Sequence, residues 1–75
     1  MEYKLYHGSP IVIKDTGMKS GTYFTDDIDV AKQYGDVIYK FIATEITIGL
    51  FVKDCFNEHW ISCRLIPFSY LEIIK

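Results

Sequence analysis

Between Thr25 and Gly35 the period of the chain becomes helical: Ile28, Ala31 and Tyr34 fall three apart, roughly on one face of a short helix. Thr25-Asp26-Asp27 supplies N-cap side chains ahead of them, with acids where the helix dipole favours them. Gly35 stands where a C-terminal cap belongs. On either side of this stretch the chain reads as short β-type runs punctuated by turn residues. Residues 3–6 alternate as a first strand that ends at His7, before Gly8-Ser9-Pro10. Residues 11–13 read as a short extended segment, and 14–21 as a loop broken by Gly17, Ser20 and Gly21. Residues 22–24 are β-rich and short, as a buried strand would be, and 37–44 read as a long strand. Residues 46–52 continue it or form the next one, with Gly49 as a bulge or bend. Residues 53–58 read as a turn or a single helical turn. Residues 60–66 and 70–74 complete the pattern as two strands around Pro67-Phe68-Ser69. The expected fold class is α+β: a small, mostly antiparallel split sheet with one short helix, in a single domain over residues 1–75.

A 75-residue domain buries only about 60% of the surface its unfolded chain exposes, so its core is thin. Apolar residues at 49% of the chain, twelve of them aromatic, are enough to pack such a core and too many for a disordered chain. Aromatic rings help here, because each buries a large area at modest entropic cost.

The net charge of -2 comes from interspersed acids and bases. With no Lys/Arg cluster to meet a phosphate backbone, direct nucleic-acid binding is not expected. The opening Met1-Glu2-Tyr3-Lys4 is charged and unlike a signal peptide. The apolar stretch 46–52, interrupted by Thr47 and Gly49, is far too short to span a bilayer. No membrane association is expected, and the chain reads as cytoplasmic. Cys55 and Cys63 are too few to staple a secreted mini-domain. Cys55, His59 and Cys63 do recur four apart, and zinc accepts such ligands. That spacing shares a face only on a helix, whereas 60–66 reads as a strand. Ile61, Cys63 and Leu65 are therefore expected on one inward face, Cys63 as a small core residue, and no metal site is expected. Trp60 and Phe68 read as core or interface anchors.

The chemistry-bearing residues sit in the first half. A strand-end His followed by Gly-Ser offers an imidazole donor and acceptor, a backbone that a ligand can approach closely, and a hydroxyl two residues on. A Tyr on a neighbouring short strand and another behind the helix supply two aromatic faces. Such faces near a polar strand end suit a flat, partly charged heterocycle. Each residue also has a plainer role available: His7 as a strand terminator, Ser9-Pro10 as a turn, Tyr23, Phe24 and Tyr34 as core aromatics.

Taken in order, Tyr6-His7-Gly8-Ser9, Gly21-Thr22-Tyr23-Phe24-Thr25 and Ala31-Lys32-Gln33-Tyr34-Gly35 resemble the ADP-ribosyltransferase superfamily. The likeness is to the branch with a His-Tyr-Glu signature, which includes diphtheria-type toxins, poly-ADP-ribose polymerases and small bacterial and phage transferases. It covers roughly the first half of the chain and is loose beyond Thr44. It implies a truncated ADP-ribosyltransferase-like fold with NAD as substrate and no metal. It further implies that His7 hydrogen-bonds a ribose hydroxyl, that Gly8 presents its backbone to the nicotinamide carboxamide and that Ser9 supports the same region. Tyr23 would stack on the nicotinamide ring and Tyr34 would close the other side. The third element of the family is a Glu that stabilises the oxocarbenium-like centre as the glycosidic bond breaks. Glu58, opening Glu58-His59-Trp60-Ile61 ahead of a strand, is the first choice, with Glu45 and Glu72 behind it.

Two functions follow from this reading. One is an NAD-dependent mono-ADP-ribosyltransferase that modifies a host macromolecule, with His7, Tyr23 and Glu58 as its catalytic set. The other is a catalytically inactive ADP-ribosyltransferase-like module that inhibits a host bacterial protein by direct contact, since aromatics are favoured at interfaces. Small size and a composition rich in Ile, Lys, Tyr, Phe and Asp suit a phage or mobile-element protein, such as an anti-defence factor acting in the host cytoplasm. Exposed strand edges in so small a sheet also allow a homodimer.

Overall fold

The structure, a computed structural model, describes residues 2–13, 17–53 and 59–74. In chain order its elements are β1 (Tyr3–Ser9), β2 (Gly17–Met18), β3 (Tyr23–Phe24), α1 (Ile28–Lys32) and β4 (Val37–Ala43). A 3-10 turn (Thr47–Leu50) follows, then β5 (Phe51–Lys53), β6 (Trp60–Ser62) and β7 (Ile66–Pro67), a second 3-10 turn (Phe68–Tyr70) and β8 (Leu71–Ile74). This is a small α+β fold, with one α-helix among the described residues. The described strands pair antiparallel throughout, as sheets β1-β4-β8, β3-β6-β5 and β2-β7.

The central strand β4 decides which residues are inside. Alternation along it turns Tyr39, Phe41 and Ala43 to one face, and their partners His7, Leu5 and Tyr3 on β1 share that face. Tyr39, Phe41, Ala43 and Leu5 are buried there against Phe24 of β3, Phe51 of β5, Met18 of β2 and Ile66 of β7. The Phe51 ring meets Phe24 nearly edge-on, with centroids 5.3 Å apart, and meets Phe41 at 5.4 Å. Contacts of this kind add about 0.5–1.5 kcal/mol each beyond the area they bury. The phenol oxygen of Tyr39, deep in this layer, accepts the Ile13 N–H at 2.8 Å.

The opposite face of the sheet carries α1. Asp27 is its N-cap, its side chain accepting the Asp29 N–H at 2.9 Å, and Ala31 is its buried residue. A Cβ on Gly8 would lie 1.8 Å from the Ala31 carbonyl oxygen, so only glycine lets the helix sit this close to β1. That close approach also explains why β1 runs on through Gly8 and Ser9, pairing them with Ile38 and Val37, where the sequence predicts an end at His7.

Other boundaries differ for local reasons. Residues 46–50 are not strand. The Thr44 N–H donates to the Thr47 hydroxyl at 2.7 Å while the Thr47 N–H donates to the Thr44 hydroxyl at 3.2 Å, and this reciprocal pair closes a turn. α1 ends at its cap Gln33, so Tyr34 lies beyond the helix and is 58% exposed rather than completing its buried face. Residues 60–66 contribute to two short strands, in which Ser62 and Ile66 are the buried residues and Cys63 is not. Cys63 and Leu65 are exposed. The expected turn at 53–58 lies largely outside the described residues, as does Cys55. Among the described residues no helix is long and apolar enough to cross a membrane, and no group of ligand-type side chains could hold a metal ion.

The Gly8–Ala31 approach is backbone against backbone, so neither side can yield by a rotamer change. Gly8→Ala is expected to destabilise the protein by about 3 kcal/mol or more, read as a lower urea midpoint by Trp60 fluorescence. An unchanged midpoint would contradict the packing of α1 on β1.

Candidate functional site

Among the described residues, backbone pairing joins the two three-stranded sheets at one isolated bridge. The Tyr6 N–H donates to the Thr25 carbonyl at 2.6 Å, and the Thr25 N–H donates back to Tyr6 at 2.8 Å. Beyond it the chains diverge, and a cleft of about 830 Å³ opens, within the size range of small-molecule sites. His7, Gly8, Tyr23, Tyr34, His59 and Lys19 are among the residues lining it.

Because Tyr6 spends its N–H and C=O on Thr25, the period of two along β1 directs those of Gly8 to the same side, away from β4. The hydrogen-bonding edge of Gly8 therefore faces the cleft. His7, between them, points to the other face and packs against the rings of Phe24 (5.6 Å) and Tyr39 (6.4 Å). Its Nδ1 lies 2.8 Å from the Tyr23 carbonyl oxygen. A carbonyl only accepts, so Nδ1 carries the proton, and in the neutral ring Nε2 is left as an acceptor.

The floor of the cleft is the loop between β2 and β3. Gly21 takes φ 84°, a left-handed value that suits glycine, and the Thr22 hydroxyl donates to the Lys19 carbonyl at 2.5 Å. Ser62, 2% exposed, pins this loop. Its hydroxyl donates to the Lys19 carbonyl at 3.0 Å and accepts the Thr22 N–H at 3.2 Å, while its own carbonyl accepts the Gly21 N–H at 2.6 Å. A thiol in its place would make poorer hydrogen bonds.

His59 is the cleft residue that sequence reasoning missed, having been weighed only as a metal ligand. The pairing of β3 with β6 sets Tyr23 opposite Ile61, which makes His59 its diagonal neighbour on the same face. Its ring meets Tyr23 edge-on at 5.7 Å and Tyr34 edge-on at 6.1 Å. Recognising that the Tyr23 strand pairs with the Trp60 strand is the signal that would have found it.

The residues singled out in the sequence do not all converge. His7, Gly8, Tyr23 and Tyr34 do. Ser9 does not line the cleft: it is buried, and its hydroxyl donates to the Ile11 carbonyl at 2.7 Å and accepts the Ile11 N–H at 3.3 Å. Its part is to fix the turn that leads away from β1. Glu58 lies outside the described residues. Glu72 pairs with Lys40 on the face of the sheet opposite the His7 ring. Glu45 follows β4 at the end where Ala43 pairs with Tyr3, about 13 Å along the strand from His7 at about 3.3 Å per residue. Neither lines the cleft, and no carboxylate does among the described residues.

Compared with protein-family models, with curated proteins and with solved structures, the chain matches none.

Two measurements check this geometry. Long-range proton–nitrogen correlation spectra are expected to show neutral His7 protonated at Nδ1, and the Nε2–H tautomer would contradict the bond to Tyr23. Ser62→Ala removes both hydroxyl bonds and leaves buried polar groups behind. It should cost about 1–3 kcal/mol, with faster hydrogen exchange at Thr22.

Proposed function

We propose that the cleft binds the nicotinamide end of NAD and that the protein is an NAD-dependent mono-ADP-ribosyltransferase acting on a host macromolecule. The observation that carries this reading is the convergence of His7, Gly8, Tyr23 and Tyr34, from three separate stretches of chain, on one cleft. They are four of the five residues to which the ADP-ribosyltransferase resemblance assigns the nicotinamide nucleotide, Ser9 being the fifth.

Each has a part suited to its geometry. Nε2 of His7, the free acceptor of a ring held by Tyr23, takes a ribose hydroxyl. The Gly8 edge offers one donor and one acceptor side by side, which matches a carboxamide. Tyr23 and Tyr34, each more than half exposed, present aromatic faces to a ring that carries positive charge in NAD. Lys19 in the lining suits the anionic remainder of a dinucleotide. Glu58, one peptide bond before His59, is assigned the carboxylate that stabilises positive charge at the anomeric carbon while nicotinamide leaves with the bonding electron pair. An acceptor nucleophile then bonds to that carbon and releases its proton.

A second reading is a catalytically inactive module that inhibits a host protein by contact. It is favoured by the carboxylate-free described lining and by the exposure of Tyr23 and Tyr34, since exposed aromatics are characteristic of interfaces.

Calorimetry is expected to detect NAD binding, weakened roughly ten- to a hundredfold in Tyr23→Ala, because stacking on one aromatic ring is worth about 1–3 kcal/mol. With NAD labelled on its adenylate half and a bacterial lysate, label should pass to an acceptor with the wild type and not with Glu58→Gln. Binding without transfer would favour the inhibitory module. Absence of NAD and nicotinamide binding would overturn the nucleotide reading altogether.

A further inference from the structure

We infer that His59 occupies the aromatic slot between Tyr23 and Tyr34 in the ligand-free protein, and that a flat heterocycle enters by displacing it. The inference rests on the nicotinamide reading of the cleft and adds a self-occupying residue to it.

The geometry is specific. Tyr23 reaches the cleft from β3 and Tyr34 from the chain just beyond α1, and neither ring is buried. The imidazole of His59 meets both edge-on, at 5.7 Å and 67° to Tyr23 and at 6.1 Å and 77° to Tyr34. A planar ligand that stacks on both tyrosines competes with this imidazole for the same two rings. On its C-terminal side His59 runs into β6, where Trp60 pairs with Phe24 and Lys53. Among the described residues its side chain is held by these ring contacts and makes no hydrogen bond. Edge contacts of this kind are modest, which makes the occupant displaceable.

The slot then selects its ligand. A ring must stack on both tyrosines well enough to outcompete two edge contacts, which favours an extended, electron-poor heterocycle such as an oxidised nicotinamide over a small apolar ring. Apolar volume alone would not distinguish them.

Two substitutions and one spectrum test this. His59→Ala empties the slot and is expected to bind NAD and nicotinamide roughly tenfold more tightly than wild type by calorimetry, with an unchanged circular dichroism spectrum. His59→Phe keeps a ring there and should bind no better than wild type. In free wild-type protein the His59 ring protons should carry ring-current shifts that Tyr23→Leu and Tyr34→Leu each reduce, and nicotinamide should move them toward the values of an unstacked imidazole. If wild type binds nicotinamide and His59→Ala binds equally or more weakly, displacement is overturned while the nicotinamide reading stands. If neither protein binds NAD or nicotinamide, the nucleotide reading fails and displacement fails with it.

Discussion

The pair of backbone hydrogen bonds between Tyr6 and Thr25 determines where this protein can have a site. It joins the β1-β4-β8 sheet to the β3-β6-β5 sheet at one residue, in an isolated bridge rather than a ladder. A longer ladder would close the gap and consume the edge of Gly8. With pairing confined to Tyr6, β1 continues for three residues with its outer edge turned toward the cleft. The His7 side chain takes over the joining role there, its Nδ1–H reaching the Tyr23 carbonyl. The same bond sets the tautomer of the imidazole, so one contact both reinforces the tie between the sheets and fixes the chemistry of the His7 ring.

Around that tie, the small core spends its polar groups on the cleft loop. Ser62 is among the most deeply buried side chains, yet its hydroxyl has no role in apolar packing. That hydroxyl adds to the backbone bonds that Ser62 makes with Gly21 and Thr22, reaching the Lys19 carbonyl and the Thr22 N–H of the turn at 19–22. A buried hydroxyl is tolerated only where its hydrogen bonds are satisfied, and here they are satisfied by the loop itself. The result is a cleft floor fixed to β6 and a wall fixed to β1, in a domain whose hydrophobic core alone is thin.

Much of this fold is legible in the sequence where one signal dominates. β4 carries an uninterrupted β-type pattern and appears where expected, and α1 starts at its expected cap but ends at Gln33, short of Tyr34 and Gly35. What the sequence hides is whatever depends on a partner distant in the chain. β1 outlasts His7 because Gly8 meets Ala31, which is 23 residues on (31 minus 8). Ser62 is inward, and Cys63 outward, because the β3-β6 register and the loop at Lys19 demand a hydroxyl, and alternation alone cannot show that. Residues 46–50 look like strand by composition and are a turn because two threonine side chains cross-link it. For the candidate site, His7, Gly8, Tyr23 and Tyr34 were legible from their order. His59 was not, because its neighbours follow from strand pairing.

The same register bears on catalysis. A transferase of this kind needs a carboxylate across from His7 and Tyr23, and the chain offered three glutamates for the part. Strand alternation puts Glu72 on the face of the sheet opposite the His7 ring, with Lys40 as its partner. Antiparallel pairing carries Ala43 to Tyr3 at the far end of β1, and Glu45 lies two residues beyond it in the chain. Neither can be brought over by a side-chain rotation, because one is barred by the sheet itself and the other by the length of a strand. Of the three, only Glu58 is covalently tied to a residue that lines the cleft, since His59 follows it directly. The transferase reading therefore stands on Glu58, whereas the binding of a flat heterocycle stands on Tyr23, Tyr34 and the edge of Gly8, and these two halves of the site are chemically separable.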